Sequence, residues 1–306
     1  VRPLLGRKLA DAVTKADAAK GVKDIATGKT AADVKTGLRG RAMIKGGAGT
    51  ARRTRTTAAA MFAWGIEHGI IKTNPFAAVK LSAPPVKERF LSDVEAAKLL
   101  DAIADLQASG ELSETFADIA RLLVLSGARK TEILALKWAE IEWERRALRL
   151  PPQRTKSGNK TGERRITLSP PALELLARRQ EAAKAAADRA KDAGKPAASS
   201  PFVFPASRGE GHAVGLRKAF AKAVAAAEIE GLRVHDLRHS FASFAIADGA
   251  SLFLVGKLLG HTSSRTTERY AHLAGDPLQD AAAAVGKRLA RPKGDGAEIV
   301  QLQRKA

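Results

Sequence analysis

The sequence predicts a mainly α-helical protein of two domains, with one small antiparallel β-sheet in the second. Three observations carry that expectation. Apolar residues make up 45% of the 306 residues and aromatics only 5%, and much of the apolar content is alanine, a balance that supplies a core and favours helices over sheet. Ser82-Ala83-Pro84-Pro85-Val86-Lys87-Glu88-Arg89 reads as a linker, because paired prolines cannot continue a helix. Ala147-Leu148-Arg149-Leu150 and Arg165-Ile166-Thr167-Leu168 flank Lys156-Ser157-Gly158-Asn159-Lys160-Thr161-Gly162, which is the pattern of a hairpin with a basic tip. The resulting division is 1–81, a linker at 82–90, a second domain at 91–290 and a loose tail at 291–306.

The elements follow in order. Residues 1–26 carry helical patches such as Leu9-Ala10-Asp11-Ala12-Val13. Residues 27–50, rich in Gly, Lys and Thr, are expected to be a mobile basic loop. A helix is expected over 51–69, with Ala58, Met61, Phe62, Trp64 and Ile66 near one side and Gly69 as its stop. Ser92-Asp93-Val94-Glu95 is a capping box opening a helix to Leu106. A second helix covers 113–125 and ends at Ser126-Gly127. A third covers Lys130 to Trp138. After the hairpin, Ser169-Pro170 caps a long helix that fades into the Ala/Lys-rich stretch 182–200. Further helices are expected near 212–229, 236–248, 251–259, 263–272 and 278–290.

The net charge of +20 points to a polyanionic partner, since Lys and Arg displace the counterions condensed on a phosphate backbone. Residues 1–56 hold 14 Lys/Arg against 4 Asp, and 145–165 hold 8 against Glu163 alone. Arg52, Arg53, Arg55, Arg154 and Lys160 are candidates for holding DNA. The start of the chain is basic and short of apolar residues, unlike a secretory signal, and no run is long enough to span a bilayer. The absence of cysteine excludes disulfides, thiol nucleophiles and cysteine zinc sites, and fits a reducing cytoplasm.

Tyr270 is the only tyrosine, and its neighbours Thr266-Thr267-Glu268-Arg269 and His272 are polar or charged, which argues against core filling. Cleaving a phosphodiester without a metal needs a nucleophile, cations for the non-bridging oxygens, a base and an acid. Arg129 and Arg238 suit the cation role, because guanidinium is permanently charged and donates in a planar fork. His235 lies three residues before Arg238 and shares its helix face. Lys156 at the hairpin tip suits proton delivery, and His261 follows Gly260 at a helix end. Each has a plainer reading: solvated Arg or Lys, capping histidines, a packed tyrosine. His235 and His239 at i and i+4 also resemble half of a metal site, but Asp236 replaces the glutamate of a metalloprotease helix and no third ligand is evident. No metal or cofactor is expected.

The order of these residues resembles the tyrosine recombinases, the phage-integrase family. Ser126-Gly127-Ala128-Arg129-Lys130-Thr131-Glu132-Ile133-Leu134 looks like its first-arginine motif, and Thr155-Lys156 like its hairpin lysine. His235-Asp236-Leu237-Arg238-His239 matches its His-x-x-Arg box. Leu258-Leu259-Gly260-His261-Thr262 with Thr267-Glu268-Arg269-Tyr270-Ala271-His272 matches its terminal box and nucleophile. The likeness is best over 90–275. It implies a helical core-binding domain at 1–81, followed by the family's catalytic domain. The family's first domain has a fuller set of helices than 1–80 shows, which leaves a truncated start open. No separate arm-type DNA-binding domain is evident.

The resemblance implies attack by Tyr270 on a DNA phosphate, giving a 3′-phosphotyrosine and a free 5′-hydroxyl. Arg129, Arg238 and His261 would stabilise the phosphorane. His235 would accept the tyrosine proton, Lys156 would be the acid, and Glu132 and His239 would support them. Partners would be double-stranded DNA gripped between two domains, a homotetramer on two sites, and an accessory DNA-bending or directionality factor, in the nucleoid. Integration or excision of a mobile element is the preferred role. A type IB topoisomerase with the same chemistry and a non-catalytic DNA-binding architectural protein are the alternatives.

Overall fold

The computed structural model describes residues 2–38, 40–81, 89–154, 162–193, 200–261, 263–273 and 277–290. The chain divides into two compact units, Val1–Lys87 and Glu88–Ala306. Most of the anticipated linker, the hairpin tip with Lys156 and Lys160, and the tail 291–306 lie outside the described residues.

In the first unit, α1 (Arg2–Leu5) leads to α2 (Lys15–Ala26), which opens with a capping box between Thr14 and Asp17. The stretch read as a loop instead contains an antiparallel hairpin, β1 (Ala32–Lys35) with β2 (Arg41–Ile44). Asp33 and Arg41 pair across it, with Arg41 Nε donating at 2.7 Å. The strands are four residues each and largely exposed, so neither offers the apolar alternation that announces a strand. Then comes α3 (Ala48–Glu67), whose buried positions are Ala51, Ala58 and Gly65. Ala51 and Ala58, seven apart, pack with α2 and are joined by Phe62, while Gly65 lies under Ile71. Met61, Trp64 and Ile66 were expected on that side and are exposed. Trp64 instead stacks on His68, with ring centroids 4.0 Å apart.

In the second unit, α4 (Asp93–Ala108) begins at the capping box of Ser92 with Glu95. The central helix is α5 (Glu114–Ser126), which packs against α4, α7 (Pro170–Asp192), α8 (Leu216–Ala226) and α9 (Asp236–Ala247). It buries Ala117, Ile119, Ala120, Leu122 and Leu123, a nearly continuous apolar run suited to a helix surrounded by others. A short α6 (Lys130–Leu134) follows and stops well before Trp138, which opens a 3-10 turn. The hairpin gains a third strand: β3 (Ile141–Glu142), β4 (Ala147–Leu150) and β5 (Arg164–Thr167) are antiparallel in that order. The chain closes with α10 (Leu252–Leu259), α11 (Ser264–Glu268), a 3-10 turn at Ala271–Leu273 and α12 (Pro277–Leu289). No helix among the described residues is long and apolar enough to cross a membrane.

Candidate active site

Two glycines place the key loops. Gly127 ends α5 in the left-handed region at φ +58°, where glycine is the residue with no steric penalty. A Cβ there would also sit 2.6 Å from the Phe241 ring. The turn leaves Arg129 as the N-cap of α6, with its backbone N–H donating to Glu132 Oε2 at 2.7 Å and its Nη1 to Oε1 at 2.9 Å. Gly260 ends α10 at φ +62° in the same manner and delivers His261.

Arg238, on the first turns of α9, stitches these loops together. It is 4% exposed. Its Nη1 donates to the Gly127 carbonyl at 2.8 Å and its Nη2 to the Leu259 carbonyl. Burial, then the nearby charges of Arg164 and Arg129, push its guanidinium down to about 9. His261 Nδ1 lies 2.8 Å from the hydroxyl of Thr267, which fixes its ring orientation. Burial, then Arg238, Arg129 and Arg164, lower His261 to about 4, so it is neutral at pH 7.

Tyr270 is 1% exposed. Its ring is enclosed by Ala242, Ile246, Val255 and Leu259, with Phe90 and Phe241 beside that cluster. The expectation that so polar a neighbourhood keeps the phenol out of a core is therefore corrected: the ring is core, and the hydroxyl alone has polar company. Tyr270 Oη lies 2.6 Å from His239 Nδ1. His239 is lowered to about 4, first by burial and then by His235 and Arg269. A neutral imidazole with its proton on Nε2 accepts from the phenol in this bond, and one with its proton on Nδ1 donates to it. The resemblance assigned the tyrosine proton to His235, but the imidazole in contact is His239. His235 meets the His239 ring edge-on at 5.0 Å, and burial first, then Arg238, lowers it.

Glu132 is 2% exposed and receives both Arg129 and Arg164. Burial alone would raise its carboxyl. The Arg164 charge and the Arg129 donors outweigh burial and hold it below the usual range. Arg129, Arg164, Arg238, His235, His239, His261 and Tyr270 thus lie near one another, with the buried Glu132 and Asp236 as the carboxylates among them. Arg164 and Thr267 were missed in the sequence. The signal for Arg164 was available: on β5 it shares the inward face with Ile166, and an inward arginine needs partners.

The DNA-holding candidates fare differently. Arg53 is exposed and Arg52 half-buried. Arg55 Nη2 donates to the Ala77 carbonyl at 2.5 Å. Arg154 pairs with Glu140 and donates to the Glu132 carbonyl at 3.0 Å. Arg55 and Arg154 therefore serve as internal ties. Among the described residues, no three of His, Cys, Asp and Glu come together as metal ligands.

Comparison with known proteins gives this fold and pocket a class. The phage integrase family profile matches residues 89–276. The chain belongs to the phage integrase family, the tyrosine recombinases. It is 34% identical over 173 residues to tyrosine recombinase XerD of Agrobacterium fabrum, a match spanning 52% of this chain and 49% of that protein. It is 26% identical over 204 residues to the integrase of Salmonella phage P22, covering 66% of this chain and 48% of that one. The chain thus spans about half the length of these two curated relatives. Its fold is similar to that of a lambda integrase tetramer bound to a Holliday junction, with a TM-score of 0.58 at 20% identity, over 88% of this chain and 67% of that one.

Proposed function

We propose that this protein is a DNA strand transferase that cleaves and rejoins DNA through a 3′-phosphotyrosine on Tyr270. One observation carries the reading most: a lone tyrosine, hydrogen-bonded to a neutral histidine, sits close to the buried Arg238, with Arg129 and Arg164 sharing the buried Glu132 nearby. That surplus of positive charge is what a pentacoordinate phosphate needs.

In this scheme the Tyr270 oxygen bonds to phosphorus as the bond to the 5′-oxygen breaks. The phenol proton passes to His239 or His235, and Lys156 protonates the leaving 5′-oxygen. Arg129, Arg238 and His261 hold the non-bridging oxygens. The 5′-hydroxyl of a partner strand then reverses the attack, so the bond energy is kept and no ATP is consumed. Similarity to a phage integrase supports integration or excision of a mobile element as the role. The family likeness supports a tetramer acting on two sites.

The test uses nicked duplexes taken from the DNA flanking the gene. The wild-type protein should give an SDS-resistant protein–DNA adduct, and Tyr270→Phe should give none. An adduct that survives Tyr270→Phe, or a wild type that binds its site and forms none, would overturn the reading. Relaxation of supercoiled plasmid of arbitrary sequence, without exchange, would favour a topoisomerase.

A further inference from the structure

We propose that Arg164 is a positioning residue of the pocket, fixing from one buried guanidinium both the carboxylate that orients Arg129 and the backbone that carries His261. The proposal deepens the strand-transfer reading and rests on it. Arg164 is 8% exposed. Its Nη1 donates to Glu132 Oε1, the same oxygen that Arg129 Nη1 reaches at 2.9 Å. On its other side the side chain lies against Gly260. A Cβ on that glycine would stand 2.9 Å from Arg164 Cδ and 3.2 Å from Cζ. The left-handed turn at Gly260 is thus filled from below by Arg164, and His261 is the next residue.

A counter-ion for Glu132 would not need this arrangement. Arg129 already gives Glu132 a guanidinium and a backbone N–H. Arg164 adds a second buried cation. Its Nε and Nη2 are buried and have no hydrogen-bond partner among the described residues. Leaving such donors unpaired is unfavourable unless something else depends on the group. What depends on it here is position: β5, α6 and the α10 terminus meet at this one side chain. It also adds positive charge beside Arg238 and His261, which favours an anion in the pocket over an empty one.

Two variants of the full chain test this. Arg164→Met keeps the volume and removes the charge. Arg164→Lys keeps the charge and loses the planar fork. With the nicked duplexes above at saturating concentration, Arg164→Met should form the Tyr270 adduct about 100-fold more slowly, while its affinity for the duplex changes less than about threefold. Arg164→Lys should fall between Arg164→Met and wild type.

A second readout needs no DNA. In the ¹⁵N spectrum of the free protein, the His261 titration midpoint should rise by about half a pH unit or more in Arg164→Met and stay in place in Arg164→Lys. Wild-type adduct rates in Arg164→Met would overturn the proposal. So would a rate loss matched by an equal loss of folded protein with His261 unmoved. If wild type forms no adduct, the strand-transfer reading fails, and the positioning role for that chemistry falls with it; the His261 shift would still show Arg164 acting on the loop.

Discussion

Among the described residues of the second unit, two buried carboxylates, Asp118 and Glu132, are each held by more than one arginine, and they teach different things. Asp118, on α5, is fully buried and receives Arg121 at 3.2 Å, Arg178 at 2.6 Å and Arg179 at 3.1 Å. Two of those arginines come from α7, so the cluster ties the central helix to its neighbour. Glu132 receives Arg129 and Arg164, which come from its own turn and from a strand. Of the Asp118 arginines, Arg178 is 53% exposed at its side chain, while Arg179 lies over the Phe204 ring, 4.8 Å from its centroid. The Glu132 arginines sit with Arg238 beside neutral imidazoles and a phenol. The same ion-pair chemistry thus makes a fastener in one place and a charged pocket in the other. The difference lies in what surrounds the leftover donors.

That contrast can be broken from either side. The largest effect is expected for Glu132→Gln, which should slow Tyr270 adduct formation by about 10³-fold, or ~4 kcal/mol, because Arg129 and Arg164 lose the acceptor that orients them. Timed SDS gels measure it, and a change under tenfold would erase the distinction drawn here. Next is Asp118→Asn. It should cost about 3 kcal/mol of stability in urea unfolding, as for a broken buried pair, with the adduct rate of the folded protein unchanged. A slowed reaction in that variant would mean that the fastener also serves the chemistry.

Gly260→Ala should be somewhat milder in stability, about 2 kcal/mol, since it combines φ +62° with a Cβ pressed on Arg164. It should still depress the adduct rate through His261. The last effect is on pH dependence. His239 and His261 titrate near 4 in the folded protein against an ordinary 6.5. Between those values the unfolded chain binds protons that the folded one does not, so stability should fall as pH drops from 6.5 towards 4 and level off below. His239→Phe should flatten part of that slope, and an unchanged slope would remove His239 as a contributor.

Much of the pocket was legible in the sequence because its residues lie at element ends, where the local signals are strongest. Ser126-Gly127 and Leu259-Gly260 announce left-handed helix stops, and the residues just beyond them are Arg129 and His261. The capping box at Ser92 was equally plain. What was not legible depends on the third dimension. Alternation with Ile166 marks Arg164 as inward and Arg165 as outward, but the partner of Arg164, Glu132, lies 32 residues away and only the fold brings the two together. Arg154 looked like a hairpin cation ready for DNA, yet Glu140 and the Glu132 carbonyl claim it. The hairpin at 32–44 was hidden because short exposed strands carry no apolar alternation.

Tyr270 would have to leave its packed place to meet a phosphate. Its ring is tucked behind hydrocarbon and its hydroxyl is bound to an imidazole. Under the strand-transfer reading proposed above, commitment to breaking a strand would then be an event separate from binding.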